Sequence, residues 1–334
     1  MTSKLLNLYT WTQYVPPAVI QGFEQRYGVK VNVTYYASNE EMIAGVEARP
    51  GLYDIVIPSD YAVEIMIDRG LLESIDVAKD LRNFHNIDSD FRAPFFDPGS
   101  TLQPKKGKEP TPKYTVPYQW GTTGIAYNSS RVAEPPTQWS DLERPEFRGK
   151  VALVDDAREV LGAGLLVNGH SKQDSDAAAI AQAADWVRAL DPLPINRDNP
   201  ETPLLDGSAV VSILYNGNAI EAMRKNPAIR YVLPENGGIW FDNLAIPKDA
   251  PHRDAALAFI DYVLEPNVAA EISRTYDYST PNAQALDVLD KTNPTLVATP
   301  AFAPSHDALQ GLLLTKYVGR AGTVRFDNAW KEFR

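Results

Sequence analysis

The chain has 334 residues, room for roughly two domains at about 150 residues each, with cores of useful size. Its 44% apolar and 22% charged residues are ordinary globular usage, which excludes a disordered chain and a collagen-like repeat. The 43 acidic against 32 basic residues leave a net charge of −11. A chain this acidic is not expected to bind nucleic acid, because phosphates must be neutralised by clustered cations. There is no cysteine, so disulfides, zinc–thiolate sites and a cysteine nucleophile are excluded. That suits an oxidising compartment without requiring one. No apolar run reaches the roughly 18 residues of a membrane-spanning helix. Met1-Thr2-Ser3-Lys4 leads directly into a strand-like segment, with no signal peptide. A mature exported chain with an added Met reads this way, and so does a cytosolic one.

In chain order, Leu5 to Tyr9 reads as a strand, and Pro16-Pro17 opens a helix. Val19, Ile20, Phe23 and Tyr27 recur along it at helical spacing, and Gly28 ends it. Val29, Val31, Val33 and Tyr35 alternate with polar residues, the period of a strand, which puts Tyr35 on its buried face. Asn39 is placed to cap the next helix. Ile55 to Ile57 is a wholly apolar strand, as in a sheet covered on both faces, and Tyr61 to Arg69 reads as a helix. This alternation means a parallel sheet in an α/β domain, with ligands expected outside the carboxyl ends of its strands. Residues 97–113 read as a surface loop, with Lys105, Lys106, Lys108 and Lys113 in solvent. A second α/β segment follows, with strands at Ile125–Asn128, Val151–Val154 and Val210–Leu214 and a helix at Ala177–Leu190. Another strand is expected at Asn243–Pro247 and a helix at Arg253–Leu264. No clean linker separates two halves, which suggests domains joined by more than one crossover.

No GxGxxG, P-loop or G-x-S-x-G pattern occurs, and the four histidines form no ligand spacing, so no cofactor, metal or triad is expected. Asp156 and Glu159 lie three apart where a strand gives way to a helix, so they can share a face. They read as two anionic arms, as an acid/base pair, or as helix capping. Trp11, Tyr14, Tyr61, Tyr118, Trp120, Tyr215 and Trp240 are read in loops or at strand ends, where aromatic faces attract cations. Trp240-Phe241-Asp242, directly before the expected strand, joins aromatic to acid and is the best single candidate.

Six ordered motifs carry a resemblance. "LYTWTQYVPPAVIQGFEQRYGVKV", "YASNEEMIAGVEA", "YDIVIPSDYAVEIMIDRGLLESID", "VPYQWGTTGIAYN", "VDDAREVLG" and "GGIWFDNLAIP" resemble the bacterial periplasmic spermidine/putrescine-binding proteins, receptors of ABC importers. The likeness runs from about residue 5 to 290. It implies an α/β, two-lobed Venus-flytrap fold with a polyamine held between the lobes, in the periplasm or on the extracytoplasmic face. The partners implied are the membrane permease subunits of an importer, and the receptor is expected as a monomer. On matching motif positions, the implied ligand contacts are Trp11, Thr12, Tyr14, Ser59, Tyr61, Asp156, Glu159, Tyr215, Trp240 and Asp242. Gln13 stands where family members often carry an acid. A carboxyl-terminal contact would fall near Thr315, but the match there is too loose to carry over. The first lobe is expected at 1–124 plus 242–288, the second at 125–241 plus 289–334.

The residue chemistry agrees with that resemblance. Acids give charge-assisted hydrogen bonds to ammonium groups, and aromatics cover methylenes. Three acids, Asp156, Glu159 and Asp242, match the three ammonium groups of spermidine better than the two of putrescine. The competing readings are a receptor for another cationic amine and a hydrolase using Asp156 and Glu159 as acid and base.

Overall fold

A computed structural model describes residues 2–97, 99 and 112–334. The chain divides into two compact units, Met1–Trp120 with Phe241–Val297 and Gly121–Trp240 with Ala298–Arg334. The strands among the described residues are β1 (Leu5–Trp11), β2 (Lys30–Tyr36), β3 (Ile55–Val56), β4 (Thr115–Asn128), β5 (Val151–Ala152), β6 (Val211–Tyr215), β7 (Ile229–Val232), β8 (Gly238–Ala245) and β9 (Leu313–Leu314).

In the first unit β1 is flanked by β2 and β3, both parallel to it. β3 pairs antiparallel with β8 through Val56 and Ala245. The helix Pro17–Tyr27 starts where Pro stands in its first turn and needs no amide donor. Gly28 stops it in the left-handed conformation (φ 65°), returning its amide to the Glu24 carbonyl. The next helix, Asn39–Ala48, is capped by Ser38, whose hydroxyl accepts from the Glu41 amide. Asn39 thus lies one residue inside the helix, and its amide group is used elsewhere. Leu6, Leu8, Phe23, Ile55, Leu244, Phe259 and Ile260 are buried together as the core between sheet and helices.

In the second unit β6 lies between β4, antiparallel, and β5, parallel. β7 pairs antiparallel with β4, and β9 runs parallel to the start of β8. Ile125, Val151, Leu161, Trp186, Ile213, Phe326 and Trp330 are buried in its core. The last helix, Gly319–Trp330, packs on the helices Ala157–Val167 and Ala177–Ala189. Trp330 Nε1 donates to Asp155 Oδ1 at 2.7 Å, which anchors the carboxyl-terminal end.

Four local expectations need correction. β4 begins at Thr115, ten residues before the expected Ile125, so Tyr118 and Trp120 lie inside a strand. Both its faces are covered, so Gln119, Thr122 and Thr123 are buried and the apolar alternation that marks a half-exposed strand is missing. Trp240 and Asp242 likewise lie within β8, not ahead of it. Tyr35 is 56% exposed while Tyr36 is buried, because Tyr36 packs edge-on against Tyr9 and Trp11 at the end of β2. Lys113 is not in solvent but 1% exposed, paired with Asp97 at 3.1 Å. The other lysines of that expected loop, Lys105, Lys106 and Lys108, lie outside the described residues.

Candidate functional site

The first unit gathers its candidates at the carboxyl ends of β1 and β3 and on β8, where an α/β sheet binds ligands. Trp11 ends β1, and its Nε1 donates to the Ile57 carbonyl at 2.9 Å. Thr12 and Gln13 form the exposed turn that follows, with Gln13 at φ 53°. That turn brings Tyr14 back under the sheet, where its hydroxyl donates to Asp242 Oδ2 at 2.5 Å. Ser59 pairs with Asp242 as an isolated antiparallel bridge, which sets the height of the acid on β8. Asn39 holds the segment after β3: its Oδ1 accepts from the Ser59 amide, and its Nδ2 reaches Ser59 Oγ at 3.0 Å and the Tyr61 hydroxyl at 3.2 Å. Tyr61 in turn donates to Glu40 at 3.0 Å. Trp11, Tyr14, Ser59, Tyr61 and Asp242 therefore form one linked group, with Thr12 at its exposed margin.

Asp242 is 6% exposed and sits among buried phenols. Burial first, then the charge of Asp242, pushes the Tyr14 and Tyr36 phenols well above their ordinary range. Tyr118 is raised by burial, then by Tyr276 and Asp242. Tyr9, desolvated beside Tyr53, is pushed up to about 12. Folding raises these pKa values, so the stability they confer is complete below the unfolded value of about 10 and is lost as pH rises past it. In an alkaline titration, the phenolate absorbance of these tyrosines is expected to appear only with unfolding. A gradual ionisation of all sixteen tyrosines near pH ~10, ahead of any unfolding, would contradict this burial.

In the second unit Asp156 is the N-cap of the helix Ala157–Val167, its Oδ1 accepting from the Arg158 and Glu159 amides. Tyr215, at the end of β6, donates to Asp156 Oδ2 at 2.8 Å. Trp240 stands edge-on to Tyr215 with ring centroids 5.9 Å apart. Gly121 lets the indole lie this close, since a Cβ there would be 2.5 Å from the ring. Asp156, Tyr215 and Trp240 are all half-buried, a carboxylate with two aromatic faces. Glu159, in the first turn of the same helix, has a different setting. It is buried, with Lys172 Nζ 2.8 Å and Thr315 Oγ1 2.9 Å from its Oε1. β9, paired with Gly238 and Ile239, carries Thr315 to that carboxylate.

Sequence reasoning placed Tyr36, Asn39 and Asp60 in the segments after the second and third strands, where ligands are expected, but gave none of them a role in the site, and it did not find Lys172. Asn39 carried a signal, a helix-start residue, but one that pointed to capping. Asp60, 1% exposed, accepts from the Tyr61 and Phe241 amides. Lys172 lies in a polar run that reads as loop, and nothing local marks it. As an acid/base pair Asp156 and Glu159 are poorly placed: one cap oxygen is used by backbone donors and the other acid holds an ammonium. Carboxylates that accept a phenol hydroxyl, as Asp242 does from Tyr14 and Asp156 from Tyr215, and that stand beside aromatic rings are suited to holding organic cations without chemical change.

The family described as bacterial extracellular solute-binding protein matches this chain over residues 18–304. The spermidine/putrescine-binding periplasmic protein of Salmonella typhimurium (strain LT2) is 37% identical over 289 residues, 85% of this chain and 79% of that one. Its Escherichia coli (strain K12) namesake is 35% identical over 324 residues, 96% of this chain and 88% of the other. Among solved structures, the spermidine/putrescine ABC transporter substrate-binding protein PotD from Streptococcus pneumoniae superposes with a TM-score of 0.78. It is 30% identical, with 99% of this chain and 98% of that chain covered. The α/β fold is thus that of the two-lobed periplasmic solute-binding proteins. No helix among the described residues is long and apolar enough to cross a membrane.

Proposed function

The chain belongs to the family of bacterial extracellular solute-binding proteins, and from that premise we propose that it is a polyamine receptor. It captures spermidine or putrescine in the periplasm or at the extracytoplasmic face and, as a monomer, hands it to the permease subunits of an ABC importer. The family is one of receptors, so the hydrolase reading is set aside. The observation that carries the proposal is Asp242, a buried carboxylate set among Tyr14, Tyr36 and Tyr118. An ionised carboxylate has about four lone-pair sites, so it can accept from a phenol and an ammonium together. Trp11, Thr12, Ser59 and Tyr61 in the first unit, and Asp156, Glu159, Tyr215 and Trp240 in the second, are the other proposed contacts. The aromatic rings cover methylenes and add about 0.5–2 kcal/mol each by cation–π attraction. Spermidine is the tighter ligand on this reading, with the margin over putrescine set at Glu159.

Calorimetry of the purified chain against spermidine, putrescine, cadaverine, agmatine and lysine tests the proposal. Saturable binding of the polyamines, unmodified when released into a native mass spectrum, is the expected result. Binding of lysine or agmatine alone would transfer the site to another cationic amine, and no binding at millimolar concentration would overturn the proposal.

A further inference from the structure

Glu159 already has a cation against it. Lys172 and Glu159 are 4% and 6% exposed in their side chains, with Nζ 2.8 Å from Oε1. The ammonium also lies 3.4 Å from the Leu313 carbonyl, and Thr315 donates to the same Oε1. Two glycines make room for the pair. A Cβ at Gly162 would stand 3.0 Å from the lysine Cγ, and one at Gly238 would overlap Glu159 Oε2. Neighbouring bonds close the site: Gln173 Nε2 donates to the Leu314 carbonyl at 2.6 Å, and Arg158 Nη2 to the Lys316 carbonyl at 3.0 Å. The start of one helix, the loop carrying Lys172 and the segment after β9 thus hold the pair between them.

Burying a lysine there costs side-chain entropy and desolvation, and an isolated surface lysine would cost neither. Its effect falls on the acids of the helix Ala157–Val167. Asp156 and Glu159 carry two negative charges on one helix turn, and Lys172 reduces the sum to one. We propose that Lys172 is a tethered stand-in for a ligand ammonium, a specificity-determining residue that occupies Glu159 and limits the advantage of a triamine over a diamine. The proposal rests on the polyamine reading above. A cargo ammonium that approaches Glu159 must displace Lys172 or share its carboxylate. The third ammonium of spermidine is the group whose binding this withholds.

The test is calorimetry with spermidine and putrescine on the full chain and on Lys172→Met and Lys172→Gln. Met removes the ammonium and keeps the stem over Gly162; Gln keeps a neutral donor toward Glu159 and serves where Met does not fold. The spermidine-to-putrescine affinity ratio is expected to rise about ten- to a hundred-fold in either variant, the worth of one charge-assisted hydrogen bond. A merely structural lysine would weaken both ligands together and leave the ratio where it was. An unchanged or lowered ratio in chains that still bind polyamines therefore overturns the role of Lys172 and leaves the receptor standing. A parent chain that binds neither polyamine overturns both.

Discussion

Asp242→Asn is expected to weaken polyamine binding by about 2–5 kcal/mol, most of it through faster release. The carboxylate is buried and receives the Tyr14 hydroxyl at 2.5 Å. An asparagine amide oxygen can still accept from that phenol, so the fold has little reason to change. What is lost is the charge opposite a desolvated ammonium, which no neighbouring phenol supplies. Stopped-flow release and calorimetry on the variant measure the effect, with circular dichroism as the control for folding. Unchanged affinity would remove Asp242 from the proposed contacts and would return its burial to a structural role.

Asp97→Ala is expected to cost about 3–5 kcal/mol of stability, a large share of the roughly 5–15 kcal/mol that holds a typical domain folded. Both side chains of the Asp97–Lys113 pair are 0% exposed. Asp97 Oδ2 accepts from Lys113 Nζ, from the Tyr114 and Thr115 amides and from the Thr115 hydroxyl. Burial pulls the Lys113 pKa down, and Asp97 is what opposes that pull. Removing the carboxylate strands an ammonium and two backbone donors at the entry to β4. Urea unfolding measures the loss, and Asp97→Ala/Lys113→Met should recover part of it by removing the stranded charge. A loss below about 1 kcal/mol would mean that water reaches the lysine in the variant.

How much of this was legible in the chain depends on distance along it. The helix Pro17–Tyr27 was, because its Pro start, its apolar spacing and its Gly stop are all local events. So was the short apolar β3, whose residues must be buried wherever the strand is placed. Asp156 was legible as a helix cap, one of the readings its position offered, but the Tyr215 hydroxyl that meets it was not. β4 was half hidden, since burial on both faces erases the alternation by which a strand is recognised.

The α/β class, the acidic and cysteine-free character and the set of acids and aromatics were determined by the sequence alone, because periodicity, turn residues and composition act within a few residues. The family was legible too, from motifs kept in order along the chain. Only the tertiary structure decided which charges meet. Tyr14 reaches Asp242 across 228 positions, Lys113 reaches Asp97 across 16 and Lys172 reaches Glu159 across 13. Each pair depends on where strands and loops return after leaving one another, and a hydrogen bond forms only within about 3 Å. Patterns of residue type do not encode separations that fine. Hence a lysine in a polar run, which solvation alone would leave at the surface, is found neutralising a buried acid.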